Sequence, residues 1–146
     1  MVEYVCARYA KAARRADVVG VRRDRFRAER SLAAYQQLRS AAQAAECWEA
    51  ERVAALAALR KDARRECGGW YGGPVLIDAL LGDGDVDAAW REAAGLADDQ
   101  QWEQLADMSR ETHPAGALAV YLRLVEQLKE RSATVPTSAS AAVACP

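Results

Sequence analysis

Apolar residues recur at three- and four-residue steps along most of this chain, and no segment alternates apolar and polar positions with β-branched enrichment. The first pattern belongs to helices with one buried face and the second to strands, so the chain reads as all-α. Val2, Val5, Cys6, Tyr9 and Ala13 form the stripe of a first helix, expected to end between Asp17 and Gly20. Ser31 is placed to cap a helix marked by Leu32, Tyr35, Leu38, Ala42 and Ala45, because its hydroxyl can accept from a backbone N–H that the first turn leaves free. Trp48, Val53, Leu56, Leu59 and Ala63 predict the core face of another helix, acidic at its start and basic at its end, a polarity that complements the helix dipole.

Residues 67–74 carry four glycines and Pro74 and interrupt the pattern. Beyond them the spacing predicts a short apolar helix over 74–81 stopped by Gly82, a helix over 86–94 capped by Asp85 and closed by Gly95, and a helix begun by Asp98 or Asp99 that carries Trp102, Leu105, Ala106 and Met108. Pro114 opens the last helix, whose core face is expected to be Leu118, Tyr121, Leu122, Val125 and Leu128. With 51% hydrophobic and 28% charged residues, the chain can bury one core, read as a single helical domain over 1–131. The uncharged Ser/Thr/Ala/Pro-rich stretch 132–146 is expected to be a disordered tail. A Leu-Ala-x-Tyr-x-x-Leu echo at Leu32–Leu38 and Leu118–Leu124 raises a repeat of about 43 residues, a length typical of helical arrays.

Overall charge is close to balanced, at −1, which removes the bulk attraction that most nucleic-acid binders display. Locally it is uneven: residues 8–30 hold nine basic and three acidic side chains, and 76–111 hold ten acidic and two basic. The basic stretch reads as a solvated helix face, paired in part with the acidic half, and otherwise as a phosphate or acidic-partner site. Cys6, Cys47, Cys67 and Cys145 never form a Cys-x-x-Cys pair and His113 is the single histidine, so no metal-ligand spacing exists and neither metal nor cofactor is expected. Asp83-Gly84-Asp85-Val86-Asp87 imitates the opening of a calcium loop, but Ala88 and Ala94 stand where that loop needs Gly and a bidentate Glu, leaving a turn with an acidic cap. No apolar leader or membrane-length segment is present, and free thiols in a cytoplasmic protein are the expectation. Trp48, Trp90 and Trp102, set among Leu and Ala, read as core residues.

Two stretches resemble the α-helical region C-terminal to the zinc finger in bacterial SWIM zinc-finger domain-containing proteins. One runs from Phe26 through Ser31-Leu32-Ala33-Ala34-Tyr35 to Trp48-Glu49-Ala50-Glu51-Arg52. The other includes Gly69-Trp70, Val75-Leu76-Ile77-Asp78-Ala79-Leu80-Leu81, Gly84 to Trp90, Trp102 to Asp107 and His113 to Tyr121. The Cys-x-Cys and Cys-x-His motif that names that family is absent, so no residue inherits a zinc-ligand role, and the chain reads as a detached helical module. The resemblance implies a helix-turn-helix array, a short α-solenoid of the TPR or HEAT kind or an irregular bundle, whose usual use is a surface for a protein partner. The expected function is therefore a non-catalytic scaffold or interaction module, not an enzyme. Candidate partner-binding residues are Arg22, Arg23, Arg25, Arg27, Trp70 and Tyr71. The alternative is a nucleic-acid-binding accessory module using residues 8–30, which the overall charge disfavours.

Overall fold

The computed structural model describes residues 2–11, 14–65 and 74–133. Among them are eight α-helices and no strand: α1 (Val2–Lys11), α2 (Arg15–Ala28), α3 (Leu32–Ala44), α4 (Trp48–Arg65), α5 (Val75–Asp83), α6 (Val86–Ala93), α7 (Asp99–Ser109) and α8 (Pro114–Ala133). The described residues fall into two units, residues 1–101 and 102–146. No described helix is long and apolar enough to cross a membrane. The Gly-rich segment, except Pro74, and the stretch from 134 onward lie outside the described residues.

In the first unit, α2 packs on α1 and α3, and α3 in turn on α4 and α5. The core is centred on Tyr35 and Leu38 of α3, Leu56 and Leu59 of α4, and Leu76, Ile77 and Leu80 of α5. Three aromatic rings join α2, α3 and α4 edge to face: Phe26 meets Tyr35 at 6.0 Å and Tyr35 meets Trp48 at 5.5 Å between centroids, geometries that match the ring quadrupoles. Trp48 and Trp90 here, and Trp102 in the second unit, are each half-buried, which corrects their assignment to the enclosed core.

Several helix boundaries follow directly from side-chain chemistry. Ser31 accepts from Ala34 N at the start of α3 and Asp85 from Ala88 N at the start of α6. Asp98 Oδ1 accepts from Gln101 N while Gln101 Oε1 faces Asp98 N, the reciprocal arrangement of a capping box. Other boundaries differ from the sequence reading. The first predicted helix is two, and α2 runs through Asp17 and Gly20, where the chain was expected to turn. Gly20 sits in open space within α2, and the helix buries only Val19 and Phe26, an apolar stripe too sparse to register against its many arginines. Gly82 likewise stays inside α5; the stop is Gly84, at φ 75°.

α3 and α5 end in the same motif with different residues. Asp85 N donates to Leu80 O and Gly84 N to Leu81 O, the paired bonds of a Schellman end with glycine in the left-handed position. After α3, Cys47 N donates to Ala42 O and Glu46 N to Gln43 O, with Glu46 at φ 57°. A residue with a Cβ pays for that conformation in steric strain. Glu46→Gly is accordingly expected to stabilise the protein by about 0.5 to 1 kcal/mol, the steric gain less the added freedom of the unfolded chain; urea denaturation measures it, and a loss of stability would show that the strain is absorbed elsewhere.

In the second unit, Tyr121 OH donates to Asp107 and the Arg123 guanidinium lies 5.0 Å above the Trp102 ring, tying α8 to α7. Leu105 and Ala106 of α7 and Ala117 and Val120 of α8 are buried. Leu118, Leu122, Val125 and Leu128, expected as the core face of α8, are instead 47–59% exposed, and Tyr121 is half-buried. The inward face is built from small residues, Ala117 and Val120, that allow close approach, and the larger side chains stand outside. At matching positions the two copies of the Leu-Ala-x-Tyr-x-x-Leu echo occupy different environments: Tyr35 and Leu38 are enclosed, whereas Tyr121 and Leu124 are half-buried.

Candidate functional site

The arginines of α2 radiate to different neighbours because successive helical residues turn by about 100°. Arg22 grips Glu3 with two nitrogens, at 2.7 and 2.9 Å, and donates to Gln37 at 2.8 Å, joining α1, α2 and α3. This contact holds the Glu3 carboxyl below its usual range and raises the Arg22 guanidinium. Arg25 pairs with Glu29 on its own helix. Arg23 and Arg27 point elsewhere, into a cavity of about 320 Å³ shared with Arg30. Of the six residues singled out in the sequence, the structure therefore brings together Arg23 and Arg27, separates Arg22 and Arg25 from them, and leaves Trp70 and Tyr71 outside the described residues.

The cavity is a groove between α2 and α4. Its floor is Phe26 and Leu38, both almost fully buried, with Ala54, Ala55 and Ala58 along the α4 side. Two ion pairs brace it. At one end Arg23 takes Glu51 in a forked contact, Nε to Oε2 at 2.9 Å and Nη2 to Oε1 at 2.5 Å; at the other Arg30 pairs with Asp62 at 2.5 Å. The Arg23 hydrogen bond lowers the Glu51 carboxyl below its ordinary value, and the nearby charge of Arg27 adds to this. Arg23 and Arg27 stand one turn apart on α2, and Arg30 follows just beyond its end. That spacing was legible in the sequence. The α4 partners Glu51 and Asp62 and the floor residue Leu38 were not, because only the packing of three helices brings them there.

The basic segment was expected to pair in part with the acidic half of the chain. Its described partners instead lie on α1, on α4 and on its own helix: Glu3, Glu51, Asp62, Asp17, Asp24 and Glu29. The acidic half draws on later cations. Asp83 accepts from Tyr35 OH at 2.7 Å and Arg52 Nε at 2.9 Å, with Arg39 Nη1 at 3.2 Å; Arg52 also reaches Asp85, and Arg60 reaches Glu92. The Asp83-Gly84-Asp85 sequence thus forms a turn whose carboxylates hold arginines and cap α6. Burial first, and then the bond to Asp83, push the Tyr35 phenol above its ordinary range. Cys6 and Cys47 are free thiols.

Comparison with protein-family models, curated proteins and solved structures gives no match to this chain.

Proposed function

We propose that this chain is a non-catalytic helical module that binds a protein partner, akin in role to the helical region that follows the zinc finger in SWIM zinc-finger proteins. The observation that carries this reading is the outward row on α8: Leu118, Leu122, Val125 and Leu128, all exposed, on a helix that buries Ala117 and Val120. Large apolar side chains repeating at i, i+4, i+7 and i+10 make half of a helix–helix interface, and a contiguous apolar face in water favours association. The ion pairs of the first unit support the same reading, since arginines and carboxylates used to brace helices supply surface rather than chemistry. The nucleic-acid alternative draws little support from α2, where Arg22, Arg23 and Arg25 are engaged by carboxylates.

The test is a triple variant, Leu118→Ala with Leu122→Ala and Val125→Ala. Its melting temperature is expected to stay within about 2 °C of the wild type, because truncation of exposed side chains costs little, and the complex that the wild type forms by cross-linking in native extract is expected to disappear. A fall of about 10 °C would make the row part of a packed core, and an unchanged set of cross-linked partners would remove the interface; either result overturns the reading.

A further inference from the structure

We draw no further inference here: the strongest candidate, the groove between α2 and α4, carries nothing because its arginines are already met by Glu51, Asp24 and Asp62, its floor of Phe26 and Leu38 is almost fully buried, and nothing in the structure shows what covers it.

Discussion

Replacing Asp83 by Ala is expected to destabilise the first unit by about 3 to 5 kcal/mol, the usual cost of removing one partner from a buried charge cluster. The Asp83 side chain is 5% exposed and is the point where three helices meet: Tyr35 and Arg39 come from α3, Arg52 from α4, and Asp83 itself ends α5. Without it, the Tyr35 hydroxyl has lost its acceptor inside the core and two guanidinium groups have lost a counter-charge. Asp83→Asn keeps the shape but not the charge. It is expected to fall between wild type and Ala, because either amide orientation is poor: Oδ2 receives two donors, and Oδ1, which has no hydrogen bond, lies 3.2 Å from Arg39. An amide nitrogen at either place would face other donors. Urea denaturation of the full chain measures these values; a loss below about 1 kcal/mol for Asp83→Ala would mean that water replaces the carboxylate at small cost.

Acid should reach the same turn through Asp85. The Arg52 hydrogen bond lowers the Asp85 carboxyl below its ordinary value in the folded chain. A group with a depressed folded value stabilises the fold at neutral pH, and that contribution is lost as pH falls from its unfolded value of about 3.9 through the folded one. Glu51, lowered by Arg23, acts in the same sense. Asp78 has the opposite sign, because burial raises it, so its protonation offsets part of the loss. Replacing both Asp85 and Glu51 with their amides should therefore flatten the fall in stability between about pH 5 and pH 2.

Leu80→Ala should have an effect of comparable size, on the order of 2 to 5 kcal/mol, since Leu80 is fully buried and the variant leaves a cavity as well as losing transfer energy. Leu80 lies in the nine-residue α5, which packs on α3, α4 and α6, so surrounding side chains are held from three sides and have little freedom to collapse. At this chain length a loss of that size lowers the melting temperature by roughly 2 to 4 °C for each kcal/mol. Val53→Ala is the control. Val53 was expected in the core face of α4 but is 70% exposed, and its truncation should cost less than about 0.5 kcal/mol. Equal costs for the two variants would contradict the orientation of α4.

Local chemistry was legible in the sequence wherever it acts over one helical turn. The all-α class followed from periodicity, Ser31 and Asp85 cap the helices they were expected to cap, and of the two candidates Asp98 and Asp99 it is Asp98 that caps α7, because a side-chain oxygen needs only the next few backbone N–H groups. The turn reading of Asp83-Gly84-Asp85 held for the same reason, with Gly84 supplying the positive φ that ends α5. Tertiary structure decided what periodicity leaves open. An apolar stripe shows that a helix has a favoured face, but which face turns inward depends on how closely a neighbour can approach. On α8 the inward positions are Ala117 and Val120 while the leucines stand outside, and on α4 Ala55, Leu56, Leu59 and Ala63 are buried while Val53 is not. Pairing of charges was decided the same way: Arg23 meets Glu51 and Tyr35 meets Asp83 across 28 and 48 residues of chain, contacts that helical register cannot specify because they exist only once the helices have packed.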